Sequence, residues 1–127
     1  MTLKNNRLKK CYDSFGGDYE TVKQRIHRDE SIERFMIKFL QEPSFNDLSD
    51  ALENEKYEEA FRAVHSLKGL SANLGFKRLE QSSAIMTELL RKSDLKVIDK
   101  GQCRKLFESV SADYKAVVEA IKELEKQ

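Results

Sequence analysis

The sequence predicts an all-α protein: an antiparallel four-helix bundle with short additional N-terminal helices. Three observations carry that expectation. Apolar residues recur at three- and four-residue spacing almost from end to end, and no run alternates as a strand would. One proline and five glycines in 127 residues leave few places for the chain to break. Four substantial amphipathic segments are joined by short connections, the pattern of antiparallel neighbours. The length suits one ordinary domain, long enough to bury a core without disulfides or metal.

Residues 2–14 read as a short helix, and "FGGD" (15–18) breaks it. Asp18 is placed to cap a second short helix reaching about His27. Residues 1–28 are therefore expected to form a helical appendage to a bundle spanning 29–127. The next helix covers about 30–41, with Ile32, Phe35, Met36 and Phe39 on one stripe, until Pro43 interrupts it. Ser44 followed by Asp47 resembles a capping start for a helix to about Leu52. "ENEK" (53–56) is a polar turn in which Asn54 can cap a long helix over 56–74. Gly75 then supplies the usual left-handed helix end. Phe76 to Lys92 is the following helix, with Leu79, Met86 and Leu90 inward. The stretch 92–102 reads as part loop and part helix start. The last helix runs from about 100 to 125, and Cys103, Leu106, Phe107, Val110, Tyr114, Val117, Ile121 and Leu124 keep a bundle-like spacing.

Composition excludes several classes of function. Charged residues make up 35% of the chain, but the net charge is +1. That balance gives no basic footprint for nucleic acid and no acidic tail. Cys11 and Cys103 lie far apart, in no C-x-x-C arrangement, and lack the neighbours a zinc site requires. Free thiols fit a reducing cytosol. The start, "MTLKNNRLKKCYDSF", is basic without an apolar core of a signal peptide. No stretch approaches the roughly 20 apolar residues of a membrane helix. The expectation is a cytoplasmic protein without nucleic-acid or membrane partners.

The informative stretch is "HSLKGLSANLG" (65–75). On a helical wheel, Ala60, Ala63, Val64, Leu67, Leu70, Ser71 and Leu74 fall in one arc opposite His65, so His65 faces outward. Phe61, Lys68, Gly69 and Ala72 surround it at i−4, i+3, i+4 and i+7. A mid-helix glycine costs about 1 kcal/mol relative to alanine. On an outer face it needs another reason, and close approach by a partner is one. Ala72 extends the clearing, Phe61 gives it an apolar edge for docking, and Lys68 places a cation beside the ring. An incidental surface histidine beside a solvated lysine is the plain alternative for each residue alone, but the combination argues for a site.

A neutral imidazole is a good nucleophile near pH 7. His65 has no partner acid and no serine or cysteine nucleophile beside it. The chain has no glycine-rich phosphate loop and no H-x-x-x-H metal pair. A covalent carrier remains, and a phosphoryl group best suits the adjacent lysine. His27, in "RIHRDE", has no such clearing and reads as an ordinary surface residue.

"AVHSLKGLSANLG" (63–75) resembles the signature of histidine-containing phosphotransfer (HPt) domains, roughly A-H-x-L-K-G-x-x-x-x-L-G. His65, Leu67, Lys68, Gly69, Leu74 and Gly75 match; Ala63 lies one place further from the histidine than in the commonest form. "DALENEKYEEAFRAVHSLKG" is similar to the helix entry of stand-alone bacterial members, and "FGGDYETVKQRI" to the lead-in of one such subgroup. The likeness covers about residues 30–122.

The resemblance implies that His65 takes a phosphoryl group from the aspartyl phosphate of one receiver domain and yields it to another. Lys68 would offset phosphoryl charge and Gly69 would give access. Response-regulator receiver domains are the implied partners, with a hybrid sensor kinase as a further candidate. This chain would be a carrier more than an independent catalyst. It would hold no cofactor, since the magnesium ion belongs to the receiver.

Family members often bring a polar side chain from the following helix near the histidine. Counting without gaps puts Thr87 there, with Arg91 one turn on. Many members have glutamine near that point, and a threonine on a partly exposed helix face is the better single reading of Thr87. The alternative reading of the whole is a helical-bundle module that binds receivers or other signalling proteins without carrying phosphate. A kinase dimerisation part is disfavoured, because no ATP-binding segment accompanies the bundle. A monomer is expected, with four helices closing the core and the His65 face open.

Overall fold

The computed structural model describes residues 3–92 and 97–127. Among them the ordered elements are α-helices: α1 (Leu3–Ser14), α2 (Tyr19–Ile26), α3 (Asp29–Phe39), α4 (Ser44–Glu53), α5 (Tyr57–Asn73), α6 (Lys77–Lys92) and α7 (Lys100–Glu125). The all-α architecture and the antiparallel bundle agree with the sequence reading. Residues 93–96, within the stretch read as part loop and part helix start, lie outside the described residues.

The bundle proper is a ring of four helices. α4 packs on α5, α5 on α6, and α6 on α7. Aromatic rings close the circle: Phe45 of α4 stacks on Tyr114 of α7 at 4.1 Å and on Phe107 at 5.6 Å. Each helix sends its apolar stripe inward. Ala60, Ala63, Val64 and Leu67 of α5 are buried, as are Leu79, Met86 and Leu90 of α6 and Cys103, Val110, Val117, Ile121 and Leu124 of α7. In α3, Ile32, Met36 and Phe39 are buried, but Phe35 is 44% exposed. The stripe is thus narrower than expected, because positions 32, 36 and 39 already fill the contact and Phe35 falls beside it.

The helix ends follow local chemistry, with two corrections. As expected, the Asp18 carboxylate accepts from the Thr21 backbone N–H (3.1 Å) and opens α2. Asp99 does the same for α7 through the Gln102 N–H at 3.0 Å. Ser44 does not cap α4. Pro43 takes the cap position, Ser44 is already helical, and its hydroxyl donates back to Glu42 Oε1 at 2.7 Å. Asn54 does not open α5 either. It closes α4, with Nδ2 donating to the Asp50 carbonyl at 2.8 Å, while Lys56 stands at the start of α5 without a side-chain cap. α5 ends as expected, at Gly75 with φ +72°.

The N-terminal helices are sewn onto that end of α5. Leu8, Tyr12, Phe15, Tyr19 and Val22 share one core with the bundle. Phe76, just past the α5–α6 turn, meets Phe15 and Phe39 edge-on at 5.3 and 5.1 Å. The Tyr12 hydroxyl donates to the Leu74 carbonyl at 2.7 Å, and the Asp18 N–H donates to the Gly75 carbonyl at 2.7 Å. Arg25 Nη1 donates to the carbonyls of Ala72 and Asn73 at 3.1 and 3.2 Å, two of the acceptors a helix leaves open at its C-terminus. Between α2 and α3, the buried Asp29 carboxylate accepts from the Tyr19 hydroxyl (2.7 Å) and Lys23 Nζ (2.8 Å). Burial and this carboxylate together push the Tyr19 phenol well above its ordinary range.

Candidate functional site

α5 divides into a buried side and an open side. Ala60, Ala63, Val64, Leu67 and Ser71 face the core, Leu70 is half-buried, and His65 is exposed, as the wheel requires. The open side starts with Phe61, half-buried and packed against the core margin. Its ring lies parallel to the His65 imidazole, with centroids 5.8 Å apart and planes inclined by 9°. Lys68, half-buried, and the exposed Gly69 follow one turn later, and Ala72 a turn beyond. No carboxylate among the described residues pairs with Lys68.

Gly69 is the sharpest feature of this face. A methyl group built on its α-carbon would meet nothing within 4 Å. Neither packing nor a left-handed backbone requires a glycine there, since the residue lies inside regular helix. The clearing exists only toward solvent.

α6 approaches the site through Arg91. Its guanidinium carbon stands 5.4 Å from the centre of the Phe61 ring, and its Nε lies 3.3 Å from Glu88 Oε2. Arg91 was a sequence candidate for a place near His65, but the parallel ring pair and the seat of this cation on Phe61 were not foreseen. The i, i+4 spacing of Phe61 and His65 allows the first, but the second depends on the register between α5 and α6.

Thr87 is fully buried, not on the partly exposed face expected, and its hydroxyl donates to the Ser83 carbonyl at 2.7 Å. Its proton is committed within α6. Position 87 falls between Ser83, Met86 and Leu90 on the inward arc, so the helical period carried the signal. His27 is exposed, but it also closes α2 in a left-handed conformation (φ 74°), donating its N–H to the Lys23 carbonyl.

The face is open rather than concave. A polar groove of about 430 Å³ runs between α4 and α5, lined by Asp47, Asp50, Glu59, Arg62 and Ser66. A more apolar one of about 380 Å³ lies between α3 and α5, lined by Phe35, Phe39, Leu70 and Leu74. Neither has His65 in its walls. An exposed imidazole on a shelf suits a macromolecular partner better than a small substrate, which needs enclosure. Among the described residues there is no cluster of three or more potential metal ligands, and no helix long and apolar enough to cross a membrane.

A four-helix ring carrying an exposed histidine at the centre of one helix, beside a lysine and an open glycine, fits the family that the motif resembles. The family comparison agrees: the Hpt domain model matches residues 41–125, which include all of α4 to α7, and the chain belongs to the Hpt domain family. No curated protein and no solved structure matches it. The chain is therefore a histidine phosphotransfer module of phosphorelay signalling, a class that works with receiver domains and kinases. α1, α2 and α3 precede the matched span.

Proposed function

We propose that His65 is the phosphoacceptor, taking a phosphoryl group from the aspartyl phosphate of one receiver domain and passing it to the aspartate of another. The observation that carries this reading is the empty space at Gly69. A helix gives up stability at a position where its own fold asks for no glycine, one turn from an exposed imidazole. A receiver's active-site loops can reach the ring across that gap.

The chemistry follows from the side chains present. The outer ring nitrogen of neutral His65 attacks phosphorus in line, the nitrogen–phosphorus bond forms, and the aspartyl oxygen–phosphorus bond breaks. The aspartate leaves as a carboxylate, so the step needs no proton. The ring keeps its other N–H and becomes cationic, while Lys68 on the next turn balances phosphoryl charge. Phe61 and Ala72 provide apolar, close-fitting contact around the ring. Magnesium and most of the catalytic groups would come from the receiver, and this chain holds no cofactor. It acts in the cytoplasm, as a monomer.

The test is transfer itself. Incubated with a phosphorylated receiver from the same cell, the protein should gain acid-labile, base-stable label at His65 and lose it to a second receiver. The His65→Gln variant should take no label and keep its helical spectrum. Label on that variant would sink the assignment. No label on the native protein from any receiver would leave an interaction module that binds without carrying phosphate.

A further inference from the structure

We infer that Phe61 is a positioning residue for His65, fixing the plane of the imidazole, and that Arg91 holds Phe61 in place. The inference rests on the phosphoacceptor role proposed for His65. The lone pair that attacks phosphorus lies in the plane of the imidazole ring, so its direction follows the ring's torsion. For a histidine that torsion is broad, and an exposed ring samples it widely. Among the described residues no hydrogen bond from either ring nitrogen of His65 narrows it. The parallel phenyl ring does, because turning the imidazole out of plane would break a contact now held at 9° and 5.8 Å.

Phe61 can act as a fixed wall because it is anchored on both sides. Its base packs against the core, and its ring carries the Arg91 guanidinium from the neighbouring helix. Glu88, one turn before Arg91 on α6, pairs with that guanidinium and limits its wandering. The chain Glu88–Arg91–Phe61–His65 thus links α6 to the reacting ring through Phe61. The wall has a second effect. Attack makes the imidazole cationic, and a phenyl face alongside favours a cation.

The experiment separates positioning from docking. Single-turnover transfer from a phosphorylated receiver is followed across receiver concentrations for the native protein, Phe61→Leu and Phe61→Tyr. Leucine keeps an apolar side chain in the helix but removes the flat ring; tyrosine restores it. Positioning lowers the maximal rate of Phe61→Leu about tenfold, while Phe61→Tyr stays within about twofold of native. Phosphoramidate, a small donor that makes no docking contact, should label Phe61→Leu more slowly by a similar factor. In proton NMR spectra without any donor, the His65 ring signals should lose their upfield ring-current shift in Phe61→Leu and keep it in Phe61→Tyr. Arg91→Gln should retain part of that shift.

An unchanged maximal rate in Phe61→Leu, with only the half-saturating concentration raised, would overturn positioning in favour of docking. Native protein that takes no label would instead remove the phosphoacceptor role, while the NMR comparison would still report whether the stack forms.

Discussion

Gly69 and Gly75 lie six residues apart on the same helix and its turn, and they do opposite work. At Gly69 an added methyl group would touch nothing within 4 Å. At Gly75 it would lie 2.7 Å from the Asp18 carbonyl oxygen and 3.2 Å from the Val22 side chain, at a φ of +72° that side chains rarely adopt. One glycine leaves room for something outside the molecule. The other is squeezed by the molecule itself, where the N-terminal helices close over the end of α5. The comparison separates an open surface, which the proposed function assigns to a partner, from a joint on which the fold depends. Stability and activity should therefore respond to the two regions independently.

The largest separation should come from Gly69→Gln. It fills the clearing, so transfer from a phosphorylated receiver should fall below detection. The same change replaces a poor helix former and should raise stability by about 0.5 kcal/mol in a urea melt. Normal transfer by this variant would remove the access argument. Gly75→Ala should do the reverse. The left-handed backbone and the clash with Asp18 together predict a loss of about 2–3 kcal/mol, read as a lower denaturation midpoint, with transfer by the folded fraction intact.

Tyr12→Phe probes the same joint more gently. It removes the hydroxyl that donates to the Leu74 carbonyl from inside the core, for an expected loss of about 1–2 kcal/mol. The smallest effect concerns alkaline pH. Burial pushes the Cys11 thiol from 9.0 up to about 11. Its folded pKa lies above the unfolded value, so its contribution is fully present below pH 9 and fades as pH rises through 11. Denaturation midpoints measured from pH 8 to 11 should therefore fall less steeply in Cys11→Ala than in the native chain.

The sequence exposed the open region more clearly than the joint. His65 faces outward because seven apolar or small residues at helical spacing occupy the opposite arc, a local fact. Gly69 stands out against propensity, also locally. The helices themselves were legible for the same reason. What failed was the choice between two local roles for one polar residue. Ser44 is already inside α4 and bonds back to Glu42, and Asn54 closes the helix before it instead of opening the next. Thr87 was placed on a partly exposed face, although Ser83, Met86 and Leu90 mark the inward arc of α6 on which it lies. The joint was hidden because it is built from distant partners. The Tyr12 hydroxyl bonds a carbonyl 62 residues along the chain, and nothing in the "CYDSF" stretch announces it. Arg91 reached Phe61 by the same kind of long-range register.

The position of His65 along its helix has a further consequence. It is the midpoint of the seventeen-residue α5. There the neighbouring backbone N–H groups are already bonded to carbonyls one turn back, and the partial charges of the helix dipole lie about two turns away at either end. Helix N-termini make durable anion cradles because their free N–H groups converge on the ligand. The middle of a helix offers none. On the proposed function, a phosphoryl group on His65 would be held by one covalent bond and the few side chains around the ring, on a surface that does not enclose it. A receiver docking next would supply the deeper well, and the group would move on without first being pulled out of one.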